Sequence, residues 1–182
     1  MSKELEKKIK SRKIRNTIIA VVAVLAIAAA VMQFKFDAAG IIKDKVTGRD
    51  TVHVTLEISC KPLADNISEL KDNSKSKYIP EDGIILKKQE YKMDKGDTAF
   101  DLLKYAIKTN GIQAEFAYTQ AYDSYFIESI SNLYSGDAGG MSGWLYYVNG
   151  KSPAYGISDY ELQEDDSILL IYSCNGGEDI SL

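Results

Sequence analysis

Hydrophobic and polar residues alternate strictly over residues 51–60, which read TVHVTLEISC. From Val52 onward every second residue is apolar, and the residues between are all polar or charged. A period of two puts the apolar set on one face of a strand and the polar set on the other. This pattern predicts a half-buried first strand. A turn at Pro80–Gly83 is expected to lead into a second strand over Ile84–Met93.

A helix is predicted over residues 96–111. Apolar residues recur at helical spacing within Phe100–Ile107, so that one face of the helix would be buried. Asp97 or Thr98 is placed to cap the start, and Gly111 supplies the left-handed residue that commonly ends a helix. This is the clearest helix in the sequence.

Further strands are predicted at residues 113–118, 125–131, 143–149 and 167–174. The last of them is continuously apolar over Ile168–Tyr172, which is typical of a central strand with both faces covered. One helix packed against a mixed sheet of five or six strands belongs to the α+β class. We therefore expect an α+β domain.

The segment Asn16–Phe34 is nineteen residues long and carries no charge. At about 1.5 Å per residue, such a helix nearly spans the hydrocarbon core of a bilayer. Seven Lys and Arg residues precede it, so the positive-inside rule places the N-terminus in the cytoplasm and exports the rest. A cleaved signal peptide is the alternative, because Ala28–Ala30 could form a cleavage site.

Four regions follow from these patterns. Residues 1–15 are predicted to be a basic cytoplasmic tail, 16–34 a single-pass transmembrane anchor or signal segment, 35–50 a stalk, and 51–182 the folded domain. Both interpretations of the apolar segment export that domain, so we expect it at the extracytoplasmic face of the cell membrane.

The formal net charge of −4 averages two unlike parts of the chain. Residues 1–35 contain eight Lys/Arg and two acids, about +6, whereas residues 36–182 contain fourteen and twenty-four, about −10. An acidic domain cannot neutralise phosphates, which argues against nucleic-acid binding. One histidine and two cysteines are also too few for multi-histidine zinc sites or iron–sulfur clusters.

Cys60 and Cys174 end the first and last predicted strands. If those strands are parallel neighbours, the two sulfurs lie at the same end of the sheet and on the same side. Outside the membrane such a pair is expected to oxidise, and closing a loop of about 114 residues would stabilise the fold by about 4–5 kcal/mol in the chain-entropy model. Two independent buried thiols are the alternative.

No arrangement typical of catalysis stands out. The single histidine, His53, lies on the polar face of the first strand, where we expect it to be solvated. The acidic run Glu161–Asp166 is interpreted as a solvated turn, with a calcium site as the alternative. The glycines over residues 139–143 lack the Lys-Ser/Thr ending of a phosphate-binding loop. We therefore expect a binding or structural module without catalytic or metal-ligating residues.

Aromatic residues are the expected basis of recognition. Fifteen of the eighteen Phe, Trp and Tyr residues lie between Tyr91 and Tyr172, and tyrosine suits contact surfaces because it joins a large ring to a polar tip. The only tryptophan, Trp144, follows a glycine- and serine-rich loop that begins at Tyr134. Such a loop is expected to be mobile and to carry function.

Four motifs, in this order, resemble the transcobalamin-like C-terminal domain family of Gram-positive surface proteins. They are GDTAFDLL from Gly96, YFIESISNLY from Tyr125, SGWLYYVNG from Ser142 and GISDYELQEDDSI from Gly156. The resemblance covers roughly residues 52–176. Animal relatives of this family form the smaller half of transcobalamin and intrinsic factor.

The resemblance implies a β-grasp fold of the soluble-ligand-binding type, with central, parallel first and last strands and one crossing helix. It also implies that residues 134–144 and 151–156 face a ligand, which could be a cobalamin or similar corrinoid. The expected ligand-binding residues are Tyr134, Met141, Gly143, Trp144 and Tyr155. No cofactor is expected to be required for the fold.

Two departures from the family affect the expected function. The carriers enclose cobalamin against a large α-helical domain for which 182 residues leave no room, so a partner would have to supply the other half of the site. A cysteine pair that bacterial relatives often carry near Ala138 and Ile157 is absent, so the loop is expected to be less restrained. The alternative function is a surface protein-interaction or cell-wall-associated structural module, with the same aromatics contacting a partner chain or glycan.

Overall fold

The computed structural model describes residues 50–120 and 123–182 of the chain. These residues fall within one unit, Asp50–Leu182. The predicted cytoplasmic tail, transmembrane segment and nearly all of the stalk lie in residues 1–49, outside the described residues. Among the residues that are described, no helix is both long and apolar enough to cross a membrane.

The described residues form seven strands and two α-helices. In chain order these are β1 (Thr51–Ser59), α1 (Lys61–Asp65), β2 (Ile84–Asp94), α2 (Ala99–Asn110), β3 (Ala114–Thr119), β4 (Ser124–Ile130), β5 (Leu133–Tyr134), β6 (Gly143–Val148) and β7 (Ser167–Ser173). Two short 3₁₀ segments, Ile67–Glu69 and Asn73–Tyr78, lie between α1 and β2. The fold class is α+β, as predicted.

A four-stranded mixed sheet has the strand order β2-β1-β7-β6. β1 and β7 are parallel, with Thr55 opposite Ser167 and Ser59 opposite Ile171, whereas the other two pairings are antiparallel. The expected central position of the last strand is confirmed, because β7 has a neighbour on both sides and four of its seven residues are buried consecutively. The first and last strands therefore form the middle of the sheet.

A second, three-stranded antiparallel sheet has the order β3-β4-β5. The expectation that one sheet contains all the strands is therefore wrong. Ser131 and Asn132, both at positive φ, turn the two-residue β5 back onto the end of β4, and a loop then intervenes before β6. As a result, no ladder of hydrogen bonds joins β4 to β6 within the described part of the chain.

Helix α2 begins and ends as its sequence predicts. Thr98 and Asp101 form a capping box, and Gly111 follows the last turn at φ 66°. The first turn also donates backbone N–H groups outward, from Ala99 to Tyr160 O at 2.9 Å and from Phe100 to Ile157 O at 3.0 Å. The helix buries one apolar face, made of Ala99, Phe100, Leu102, Leu103 and Ala106.

Both cysteines are free thiols, so the predicted disulfide between Cys60 and Cys174 is not formed. Ser59 lies opposite Ile171, which places Cys60 one residue and Cys174 three residues beyond that pair. The resulting stagger of two residues is about 6.6 Å along strands that lie about 4.8 Å apart. The two cysteines are therefore not opposite each other, so the cross-strand alignment on which the predicted disulfide depended is missing.

Hydrogen bonds from the end of β7 hold Asp179 in the C-terminal segment. Its carboxylate accepts a hydrogen bond from the Ser173 hydroxyl and another, at 2.7 Å, from Cys174 N–H. Burial raises the pKa of Asp179, but the hydrogen bonds together outweigh burial, and the pKa lies below its usual value. Ionised Asp179 therefore stabilises the folded state.

Candidate functional site

The glycine-rich loop between β5 and β6 is held by hydrogen bonds to distant residues. Its Asp137 carboxylate accepts two bonds of 2.7 Å from Lys75 Nζ and one of 2.8 Å from Tyr134 N–H. The Asp137 carbonyl also accepts from Lys71 N–H at 2.9 Å, and the next residue, Ala138, is only 4% exposed. The expectation of a weakly restrained loop is therefore wrong at Asp137 and Ala138, whereas the expected mobility of the loop stays a prediction.

A buried hydroxyl pair closes the base of the same loop. Ser142 Oγ accepts from Ala138 N–H at 3.1 Å and donates to Gly139 O at 2.8 Å. The hydroxyl of the fully buried Tyr172 donates to Tyr134 O at 2.7 Å and lies 3.0 Å from Ser142 Oγ. These bonds satisfy groups that would otherwise be buried without partners, which fixes the loop to β7.

Trp144 is a core residue, only 5% exposed. Its indole Nε1–H donates to Leu133 O at 2.9 Å, and its ring packs edge-on against Tyr172 with centroids 5.3 Å apart. Most of the ring therefore faces β5 and β7 and only an edge remains accessible. Packing in the core is therefore enough to explain why a tryptophan stands at this position, and no ligand contact is needed to explain it.

A cleft of about 240 Å³ lies between β4 and β6, which belong to different sheets and do not pair with each other. Its lining residues come from three segments: Tyr125, Phe126 and Ile127 of β4, Trp144, Leu145 and Tyr146 of β6, and Ser152, Gly156 and Ile157. Phe126 also lines an adjacent hollow of about 240 Å³ together with Glu128, Tyr134 and Ser135. Phe126 is thus shared by the two concave surfaces.

The aromatic rings of β4 are exposed and backed by other rings. Tyr125 is 43% exposed, and Phe126 is 48% exposed. The Tyr125 ring stacks on Phe100 of α2 with centroids 4.5 Å apart and planes 16° from parallel. Tyr118 of β3 packs edge-on against Tyr125 at 5.5 Å. This backing holds Tyr125 in place before a ligand arrives, which lowers the entropic cost of binding.

Residues 151–157, here called the strap, form one wall of the cleft. Gly156 allows a close approach to β4: a Cβ at this position would lie 1.9 Å from Ser124 Oγ and 2.6 Å from Ser124 Cβ. Ser124 Oγ and Ser158 Oγ are 2.7 Å apart, and Ser158 Oγ accepts from Tyr125 N–H at 3.2 Å. Glycine and two small hydroxyl residues therefore fix the strap to the start of β4.

Tyr146 connects β6 to the strap by donating its hydroxyl to Tyr155 O at 2.6 Å. Burial is the main reason that the pKa of Tyr146 rises to about 12, and the charge of Asp159 contributes in the same direction. The phenol therefore stays protonated at neutral pH. It acts as a hydrogen-bond donor and not as a base or nucleophile.

The structure brings only some of the expected ligand-binding residues together. Trp144 lines the cleft and Tyr134 lines the adjacent hollow, where its hydroxyl donates to Glu115 Oε1 at 2.5 Å. Met141 and Tyr155 are each 68% exposed and line neither surface. At Gly143 a Cβ would approach Ser135 Oγ to 3.1 Å, so this glycine serves loop packing.

Three lining residues with larger exposed surfaces, Tyr125, Phe126 and Tyr146, were missed by the sequence prediction. The sequence did contain a signal for two of them, Tyr125 and Phe126. Tyr125 and Phe126 are consecutive aromatics in a strand, where successive side chains point to opposite faces, and they lie within the resemblance motif that begins at Tyr125. Both are exposed, and the first half of β4 pairs with β3 on one side but has no strand partner among the described residues on the other.

The acidic turn before β7 has structural partners. Glu164 accepts from His53 N–H at 2.9 Å and lies 3.1 Å from His53 Nδ1, and these contacts lower the pKa of Glu164. The buried Asp166 accepts from Asn149 Nδ2 at 2.8 Å and from the Tyr160 hydroxyl at 3.0 Å. Within residues 50–120 and 123–182, no three His, Cys, Asp or Glu residues are grouped to hold a metal ion.

A protein-family model described as "Domain of unknown function (DUF4430)" matches residues 96–173. No curated protein sequence matches the chain. Among solved structures, haptocorrin in complex with Cbi aligns over 69% of this chain and 25% of its own, at 12% identity and a TM-score of 0.44. The chain thus spans about a quarter of that haptocorrin chain.

A crystal structure of a candidate metal binding protein from Ruminococcus gnavus ATCC 29149 aligns over 67% of this chain and 96% of its own, at 12% identity and a TM-score of 0.40. Similarity at this level carries no argument about what this chain binds. The sequence is therefore similar to a domain family of unknown function over the part that contains α2, the cleft-forming strands and β7.

Proposed function

We propose that residues 51–182 form a non-catalytic ligand-binding module that holds one face of a planar, partly apolar small molecule in the β4–β6 cleft. The observation that carries this proposal is the exposed pair Tyr125 and Phe126 at the edge of a preformed concavity. Flat apolar rings at the edge of a cleft suit stacking against a flat ligand, because both surfaces lose contact with water.

The size of the cleft supports a site that covers only one face of the ligand. Pockets that enclose a small molecule usually measure about 300–1,000 Å³, whereas this cleft measures about 240 Å³. A corrinoid-sized ligand would thus rest on the cleft and leave its other face open. A partner surface protein would supply the second face.

The chemistry of the lining supports binding without catalysis. The described residues that line the cleft include no histidine, cysteine, lysine or carboxylate. The phenol of Tyr146 is protonated and already donates to the strap. General acid–base and nucleophilic catalysis both need a group that changes protonation or attacks near neutral pH, and such groups are absent from this lining.

We further propose that the domain is a β-grasp member of the transcobalamin-like C-terminal domain family, with a corrinoid as the first ligand to test. The motifs quoted from the sequence support this assignment. The central parallel pair β1 and β7, and the contact of α2 with β1, support the β-grasp topology. Phe126 and the strap would then contact the edge of the corrin ring.

The test is a titration of the purified full-length chain with cyanocobalamin, followed by calorimetry and visible absorbance. Phe126→Ala is expected to weaken binding about two- to tenfold, because loss of one stacking contact is worth about 0.5–1.5 kcal/mol. Tyr105→Ala is the matched control, since Tyr105 is 52% exposed on α2 and does not line the cleft. Absence of heat and spectral change up to high micromolar ligand would refute corrinoid binding.

A protein-interaction surface is the second candidate, and the edge of β6 favours it. β6 forms one edge of the four-stranded sheet, and residues Gly143–Val148 contain no charge and no proline. The opposite edge, β2, carries five charged side chains, which is how edge strands usually avoid pairing with other chains. Capture of a partner protein that survives Phe126→Ala but is lost in Tyr147→Lys would favour this candidate.

We also propose that residues 16–34 hold the domain at the outer face of the cell membrane. The uncharged run and the basic residues before it support this placement. Protease added to intact cells is expected to digest the domain. Retention of the full-length chain in washed membranes would support an anchor, whereas release of a shortened chain into the medium would support a cleaved signal peptide.

A further inference from the structure

An acidic side chain stands at the rim of the cleft. Asp159 Oδ2 lies 2.9 Å from the point where a Cβ on Gly156 would be, and Gly156 lines the cleft. The charge of Asp159 also acts on the hydroxyl groups of Tyr146 in β6 and Tyr118 in β3. Asp159 is therefore beside the strap and near Tyr146, both of which line the cleft.

No basic residue neutralises this carboxylate in the part of the chain that the structure describes. The ion pairs there involve other acids, such as Asp101 with Lys104 at 2.9 Å and Asp137 with Lys75 at 2.7 Å. Asp159 is exposed, and its backbone N–H donates to Gly156 O at 3.0 Å, which holds the residue beside the strap. The carboxylate is thus available to a ligand.

The exposed aromatic rings beside Asp159 favour a positively charged ligand, as the carboxylate itself does. The face of an aromatic ring carries negative electrostatic potential and attracts organic cations within about 6 Å. Tyr118, Tyr125 and Phe126 are between 43% and 52% exposed. A second carboxylate, Asp123, accepts a hydrogen bond from the Tyr118 hydroxyl at the outer end of this cluster. An anionic ligand would meet repulsion from both acids.

We propose that the molecule held in the cleft is a planar cation, with an ammonium-type charge placed beside Asp159 and against the exposed ring of Tyr125. This inference rests on the proposed function and adds the charge of the ligand to it. Apolar stacking alone would not distinguish a cation from a neutral molecule of the same shape. The carboxylate and the ring faces together would favour the cation over the neutral molecule.

The probes are 1-naphthylmethylammonium and 1-naphthalenemethanol, which have the same ring system and differ in one charged group. Binding to the full-length chain is measured by NMR through the ring resonances of Tyr125 and Phe126. The ammonium probe is expected to bind about tenfold more tightly than the alcohol at 20 mM NaCl. The advantage is expected to shrink at 500 mM NaCl, because salt screens charges at an exposed rim.

Asp159→Asn is expected to remove most of the advantage of the ammonium probe while leaving the affinity for the alcohol unchanged. Asp165→Asn is the matched control, because Asp165 is also exposed but lies beside His53 and away from the cleft. Its φ of 65° suits asparagine as well as aspartate. This control is expected to bind both probes as the wild type does.

The outcomes separate the two proposals. Equal affinity for the two probes, with shifts at Tyr125 and Phe126, would overturn the cationic ligand and leave the aromatic cleft as a binding site. An ammonium advantage that persists in Asp159→Asn would overturn the role of that carboxylate. Absence of shifts at both rings with either probe would overturn the binding cleft itself.

Discussion

Replacement of Gly156 by alanine tests whether the strap packs against β4 as closely as described. The added methyl carbon would lie 1.9 Å from Ser124 Oγ, 2.6 Å from Ser124 Cβ and 2.9 Å from Asp159 Oδ2. The Asp159 carboxylate and the Ser124 hydroxyl can rotate away, but Ser124 Cβ is fixed by the backbone of β4. The strap or the strand must therefore move.

The expected cost comes from two opposing terms. Overpacking of a well-packed site costs about 1–3 kcal/mol, whereas a Gly to Ala change restricts the unfolded chain and returns about 0.4–1 kcal/mol. We therefore expect a net loss of about 1–2 kcal/mol in the free energy of unfolding. For a domain of this size, that corresponds to a decrease in Tm of about 3–10 °C.

Urea unfolding followed by circular dichroism measures this loss. Gly140→Ala is the matched control, because a Cβ at Gly140 would meet nothing within 4 Å and its φ is not left-handed. The effect on the unfolded chain is the same in both variants, so their difference isolates the contact with Ser124. In a Ser124→Gly background the cost of Gly156→Ala is expected to fall by more than half, since the blocking Cβ is gone.

Two results would refute this reasoning. Equal urea midpoints for Gly156→Ala and Gly140→Ala would show that the strap does not pack against β4. A cost of Gly156→Ala that is unchanged in the Ser124→Gly background would show that the strain arises elsewhere.

Three further predictions concern the frame around the cleft. Thr98→Ala is expected to cost about 1 kcal/mol in urea unfolding because it removes the capping box of α2, whereas Thr109→Ala in the last turn should cost less; equal costs would contradict the cap. Asp179→Asn is expected to destabilise the domain at pH 7, because a folded pKa below the usual 3.8 means that ionised Asp179 adds stability above that value. The deficit in urea midpoint should vanish as the pH falls through the lowered pKa, and a constant deficit would contradict the shift. Maleimide at pH 7.5 without reductant should label Cys60 and Cys174 slowly in the folded chain, since burial raises their pKa to about 12 and about 11, and both should react rapidly in urea; no reaction in urea would indicate a disulfide.

The elements with strong local patterns could be predicted from the sequence. The alternation of β1, the capped amphipathic helix α2 and the apolar run of β7 each depend on residues close together in the chain, and all three form where expected. The central position of β7 also followed from its pattern, because a continuously apolar strand needs both faces covered, whereas its parallel pairing with β1 was expected only from the family resemblance.

The candidate site could be predicted only in part, because contacts between distant residues decide it. Lys75 holds Asp137 across 62 residues of sequence, so the glycine-rich loop has a restraint that its own sequence does not indicate. The burial of Trp144 depends on a carbonyl of β5, a two-residue strand with no recognisable pattern of its own. Local periodicity contains neither contact, so periodicity alone did not indicate that the exposed aromatic rings beside the cleft are Tyr125 and Phe126 and that Trp144 is buried.

The hydrogen bonds at the start of α2 have a mechanical consequence for the strap. Ile157 O and Tyr160 O accept the first free N–H groups of the helix, so the chain is fixed to the core directly after Gly156. The other end of the strap is fixed by the paired backbone bonds between Val148 and Lys151, both 2.9 Å. Between these two attachments the strap is also bonded to β6 through Tyr155 O and packed against β4 at Gly156. This wall of the cleft is therefore tied to both sheets and to α2, so it keeps its shape when a ligand binds.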